Sequence, residues 1–184
     1  MSQESIKKAL SDMIGAVQSN PAVAKVVFRA TTALEDDVRC SAKVRDFPVM
    51  TIDEPPELGG ADAGMNPVEL VLVALGTCQE VMFSAYASFI GIKLDECKVD
   101  VKGSLDLRGL LGLDPSIPPG YQHISYQTKI TSSADDASLL QLIEVVESHC
   151  PVMDILSRAQ YVTGQAIVNG KELHSFKSGE LATV

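Results

Sequence analysis

NPVELVLVALGTCQEVMFSAYASFIG, running from Asn66 to Gly91, decides the fold. Asn66 suits a helix N-cap, Pro67 the first helical position, and Glu69 the far side of a capping box. From there to Ile90 the chain is nearly all apolar, and Gly91 supplies the stop. A helix apolar on most of its faces has to be surrounded by protein, so this one is central and not superficial. The apolar run from Val68 to Met82 is interrupted by Glu69, Gln79 and Glu80 and is shorter than a bilayer demands, which argues against a membrane span.

Upstream lies a loop, Asp53 to Met65, with two prolines and three glycines. Three strand-like pieces precede it. Val26 to Leu34 is rich in β-formers and ends at the turn Glu35-Asp36-Asp37. Val38, Cys40, Ala42 and Val44 alternate with Arg39, Ser41, Lys43 and Arg45, a half-buried strand with one basic face. Phe47 to Asp53 is the third. Before them, Ile6, Leu10, Met13, Ile14 and Val17 recur at helical spacing until Asn20-Pro21 ends the pattern.

Downstream, Cys97, Val99 and Val101 alternate with Lys98, Asp100 and Lys102, and Ile124, Tyr126, Thr128 and Ile130 mark another strand. Gly109 to Gly120 is an excursion between them. A second helix begins near Ser132 or Ser133, carries the stripe Leu139, Leu142, Ile143 and Val146, and is broken at Pro151. Val152 to Ala159 resumes as a short helix, and Tyr161 to Val168 is a last strand. The order α-β-β-β-α-β-β-α-α-β predicts an α+β fold with antiparallel sheet. It forms a single domain over residues 1–184, with a helical extension at 1–21 and a polar tail at 171–184.

Composition bounds the function. A formal net charge of -9, with no charge run, argues against nucleic acid and anionic membrane as partners. No positive segment followed by an apolar one opens the chain, so a cytoplasmic protein is expected. The four cysteines, Cys40, Cys78, Cys97 and Cys150, include no Cys-x-x-Cys pair, which excludes a zinc-ribbon or thioredoxin-type motif. In a reducing compartment any disulfide among them is transient or catalytic.

Two of the four matter. Cys78 lies midway along the central helix among Val71, Ala74, Leu75, Val81, Met82 and Ala85. It is either a buried structural thiol or a reactive one that needs a cation to offset the apolar surround. Cys150 precedes Pro151 and so caps a new helix, where unpaired N–H groups favour a thiolate. His149 beside it either adds charge and takes a proton or is an exposed linker residue. Cys40 and Cys97 fall on the inward parity of their strands and belong to the core.

Asp53-Glu54-Pro55, Gly59-Gly60, Asn66-Pro67-Val68-Glu69-Leu70, Ala74-Leu75-Gly76-Thr77-Cys78 and His149-Cys150-Pro151-Val152 together resemble the signature of the OsmC/Ohr family. The resemblance spans about Val26 to Gly170. It implies an OsmC-like fold, antiparallel sheets wrapped around two long central helices, in an entwined homodimer with active sites at the subunit interface. It also implies that Cys78 is the peroxidatic residue and Cys150 the resolving one. The partners it implies are a hydroperoxide and an external dithiol reductant, and it implies no cofactor and no metal.

Two features depart from the family pattern, which sets a glutamate ten residues before the first cysteine and pairs it with an arginine. Here Val68 is ten back and Glu69 nine. Nine residues at ~100° and ~1.5 Å each carry Glu69 to the opposite side of the helix from Cys78. Glu69 therefore serves a partner's Cys78 or only caps its own helix. Arg45 is the arginine assigned to the thiolate, ahead of Arg39. Two other readings stand beside the peroxidase: a ligand-binding or stress-associated dimer whose cysteines are sensors, and a metal site of Cys78, Cys150 and His149. The metal site ranks last, because adjacent residues do not easily ligate one ion.

Overall fold

The computed structural model describes residues 2–178. Helix α1 (Gln3–Ser19) starts at Ser2, whose side chain accepts the Ser5 N–H while Ser5 reaches back. None of its residues is fully buried; Gln3 Nε2 ties it to the Ile92 carbonyl at 2.6 Å.

Strands β1 (Thr31–Asp36), β2 (Arg39–Lys43) and β3 (Met50–Ile52) form an antiparallel sheet in that order. The first strand starts later than its β-formers suggest and runs through Glu35 and Asp36, which were expected in the turn. Asp36 pairs with Arg39 in the ladder and by a salt bridge at 3.2 Å, so the turn contracts to Asp37 and Val38, with Asp37 at φ +46°. Val26, Val27 and Phe28 are left outside the sheet with their side chains largely in solvent.

The Asp53–Met65 loop is organised by a buried carboxylate. Asp53 accepts the N–H groups of Glu54, Ala61 and Ala63, and these bonds hold its pKa below the usual carboxylate value. Gly60 is required there, since a Cβ would meet the Glu54 carbonyl oxygen at 1.8 Å.

Helix α2 (Pro67–Ile90) begins in the expected capping box and ends at Gly91, whose φ is +84°. Its 24 residues, at mean hydropathy 1.5, have the length and composition of a membrane span, longer than the apolar run alone implies. It packs instead on the antiparallel ladder of β4 (Glu96–Leu105) and β5 (Tyr121–Thr131), with Gly76 against Val101 and Val99. A one-turn helix, α3 (Leu107–Leu110), lies in the excursion between those strands.

Helix α4 (Asp136–His149) is capped by Asp135, not by Ser132 or Ser133. Asp135 takes the Ser138 N–H, whereas the Ser132 hydroxyl is spent on the Lys93 carbonyl. Leu142 and Val146 from the expected stripe join Phe83, Ala87 and Ile92 in the core. Helix α5 (Pro151–Ser157) follows directly.

The chain then forms a hairpin, β6 (Thr163–Val168) with β7 (Lys171–Lys177). The segment after Gly170 was expected to be a polar tail; through Lys177 it is a strand. Asn169 and Gly170 both take positive φ, the two-residue turn that an Asn-Gly pair favours. Residues 179–184 of that segment lie outside the described residues. The class is α+β, and every strand pairing is antiparallel.

In one chain α2 is not surrounded. Val73, Val81 and Ile90 on this helix stand 44%, 65% and 51% exposed. Every residue of β6 and β7 is exposed as well.

Candidate functional site

Pro151 builds the site locally. It has no N–H to continue α4 and takes the first position of α5, so Cys150 ends one helix and begins the next in an extended conformation. That junction turns the Cys150 side chain inward, where it is 1% exposed. Cys78, half-buried on α2, meets it there. The Cys150 thiol and the Val152 backbone N–H, from the first turn of α5, are the neighbouring groups that act on the ionisation of Cys78.

Burial pushes the Cys78 pKa up, the Val152 N–H pulls it down, and the neighbouring Cys150 raises it again; the net direction is up. No cationic side chain among the described residues offsets the burial. The two thiols are neighbours in the folded chain, the arrangement that thiol–disulfide exchange requires.

The remaining expected residues fall elsewhere. Arg45 sits in the β2–β3 connection at φ +49°, its guanidinium over the Phe47 ring at 4.6 Å. Arg39 is paired with Asp36. The Glu69 carboxylate accepts the Asn66 N–H at 2.9 Å and Asn66 Oδ1 accepts the Glu69 N–H, so within its own chain Glu69 is the capping acid. His149 is exposed, bonds the Val145 carbonyl through Nδ1 at 2.9 Å and leans on the Tyr86 ring. Cys97 faces inward from β4, its pKa raised by burial and by Glu80. Cys40 is half-buried in β2. Among the described residues no group of three His, Cys, Asp or Glu side chains is placed to hold a metal ion.

A cavity of about 330 Å³ opens beside the thiol pair. Leu75, one turn before Cys78, and Met153, three residues after Cys150, line it with Ile124 and Leu156 on an apolar side, and Gln122, His123 and Ser157 on a polar one, Tyr121 and Tyr126 completing the wall.

Sequence reasoning missed three polar residues around this point. Gln79 follows Cys78 and is 1% exposed, with Nε2 unpaired. Tyr126 donates its hydroxyl to Glu147 at 2.5 Å. Burial and the Glu147 carboxylate raise the Tyr126 pKa to about 12, with Cys150 adding to it and Gln79 pulling the other way. The available signal was a glutamine inside an otherwise apolar helix, and a tyrosine on the inward parity of β5.

A family model described as OsmC-like protein matches residues 59–163, more than half of the chain. Among solved structures, an OsmC-like protein from Mycoplasma pneumoniae aligns at TM-score 0.61 and 21% identity, over 72% of this chain and 88% of that one. An organic hydroperoxide resistance protein OsmC from Legionella pneumophila aligns at TM-score 0.55 and 18% identity, over 72% and 92%. An organic hydroperoxide resistance protein from Elizabethkingia anophelis gives TM-score 0.55 and 18% identity, over 72% and 91%. At these identities the likeness is one of fold. Comparison with curated proteins finds no match.

Proposed function

This chain belongs to the OsmC-like protein family, and on that premise we propose that it is a cysteine-based thiol peroxidase acting on organic hydroperoxides. The observation that supports the reading is that the Cys150 thiol, from a distant part of the chain, lies close enough to Cys78 to raise its pKa. The Cys78 thiolate attacks the terminal oxygen of the hydroperoxide. The O–O bond breaks, the alkoxide leaves and takes a proton as the alcohol, and Cys78 becomes a sulfenic acid. Cys150 then attacks that sulfur; the S–S bond forms, the S–O bond breaks, and hydroxide leaves with the Cys150 proton as water. An external dithiol restores both thiols by exchange. The apolar side of the cavity, formed by Leu75, Ile124, Met153 and Leu156, favours alkyl and aryl hydroperoxides over hydrogen peroxide, at ~0.8 kcal/mol per buried CH₂.

The working unit is a homodimer. Folded monomers of this mass expose ~8,600 Å², whereas this chain exposes 13594 Å². An excess on the order of 5,000 Å², with the exposed apolar side chains of α2 inside it, is the scale of an obligate interface. A partner also offers the place from which Glu69, or an arginine such as Arg45, reaches a thiol that has no cation in its own chain.

One equivalent of cumene hydroperoxide on wild type, Cys78→Ser and Cys150→Ser, followed by intact mass, tests the mechanism. The expected products are an internal disulfide, no rapid thiol loss, and a trapped sulfenic acid, in that order. Equal reactivity of the three proteins would reject it. The missing cation at Cys78 favours a second reading, a redox-sensing dimer; oxidation once per chain with no turnover under any dithiol distinguishes it.

A further inference from the structure

The thiol chemistry leaves one polar constellation beside it unused. Gln79 on α2 is buried, Tyr126 on β5 half-buried and Glu147 on α4 exposed, and the Tyr126 hydroxyl links the strand to the helix. Gln79 Oε1 accepts the Thr128 hydroxyl at 3.5 Å, while its buried Nε2 has no partner. Tyr126 lines the cavity at the thiols and clamps Glu147 at 2.5 Å. Gln79 adjoins Cys78 in the chain, and Glu147 stands in the last turn of α4, three residues before Cys150.

The position of Cys150 depends on where α4 ends, because Pro151 breaks the ladder immediately after it. The last turn of a helix has unpaired carbonyls and frays unless something holds it. Tyr126 holds this one, from a strand whose ten-residue register with β4 fixes it in place.

We infer that Tyr126 is a positioning residue for Cys150, its hydroxyl holding the end of α4 through Glu147 so that closure of the Cys78–Cys150 disulfide depends on that bond. The inference rests on the thiol-peroxidase reading for its chemistry. It gives a residue of the cavity wall a second role, exerted through Glu147, which is not among the residues that line the cavity. The raised Tyr126 pKa keeps the phenol protonated and donating across the working range of a thiol enzyme.

The test compares wild type, Tyr126→Phe, Glu147→Gln and Glu147→Ala as full-length protein. Sulfenic acid formation is read in a Cys150→Ser background, and disulfide closure by acid quench and thiol counting. The dithiol–disulfide equilibrium is read against reduced and oxidised glutathione. Losing a hydrogen bond to a charged acceptor is expected to slow closure and shift the glutathione equilibrium toward dithiol by about tenfold in Tyr126→Phe. Cys78 oxidation should change less than about twofold in Glu147→Ala, because Glu147 is outside the cavity lining and that step needs no movement of Cys150. Glu147→Gln, whose carbonyl still accepts from the phenol, should keep most of the closure rate, and Glu147→Ala should match Tyr126→Phe.

Wild-type closure and a wild-type glutathione equilibrium in Tyr126→Phe would overturn the inference. So would a lower melting temperature with an unmoved equilibrium, which marks a merely structural bond. If hydroperoxide fails to oxidise wild-type Cys78, the peroxidase reading falls, and the glutathione titration still judges Tyr126.

Discussion

Cys78 is a thiol whose surroundings work against its ionisation. Burial raises its pKa and the Val152 N–H only partly compensates, so its thiolate fraction at neutral pH is below that of a free cysteine. The rate of Cys78 alkylation by iodoacetamide should therefore keep rising as pH increases beyond ~8.5, the ordinary thiol value. Peptide-level mass spectrometry across that range checks it; a plateau already reached at neutral pH would show a cation the single chain does not supply. The inward-turned position of Cys150 was legible from the proline-made junction, whereas local chemistry left Cys78 open and only the resemblance to the family linked the two. Glu69 as capping acid was legible locally, its partner being three residues away. Arg45 was not. Its placement is set by a left-handed turn and by Phe47, neither of which strand alternation foretells. Tyr126 and Glu147 meet across a strand and a helix, a contact that no periodicity encodes.

The elements follow from local chemistry wherever a cap or a period decides them. α2 starts and stops at the expected residues because Asn66, Pro67, Glu69 and Gly91 each act within one turn. Its seat on the β4–β5 ladder depends on what it lacks. A Cβ at Gly76 would stand 3.2 Å from Val101 Cγ2, so the helix rests on the strand through bare backbone. Gly76→Leu should push α2 off β4 and destabilise the protein by about 2–3 kcal/mol, the usual range for overpacking, despite a better helix propensity. Urea denaturation measures it; unchanged stability would mean that helix and strand are not in firm contact. The elements that sequence placed wrongly are those where two local signals competed. Ser132 and Ser133 were as good as Asp135 for capping α4 until the Lys93 carbonyl claimed Ser132. β7 was announced by Asn169-Gly170 yet hidden by its polar side chains, because alternation is visible only when one face is buried.

At the scale of the whole molecule, the exposed apolar surface of α2 is what the proposed homodimer would cover. Native mass by light scattering should be twice the 19.6 kDa of one chain. Val81→Asp, at a side chain of α2 that is 65% exposed, should abolish that dimer. A wild-type protein that stays monomeric at micromolar concentration, or a Val81→Asp dimer as tight as wild type, would refute the interface. Sequence indicated this requirement through a helix too apolar to be solvated; it could not say which face would be left for the partner, since α1, β4 and α4 each take a share of the same cylinder.

The β6–β7 hairpin carries this furthest. Two strands exposed along their whole length are marginal by themselves in water. In the proposed homodimer the second copy steadies them. Refolding of such a dimer would end in a collision between molecules, its last phase would quicken with concentration, and simple dilution would act on it as a denaturant does.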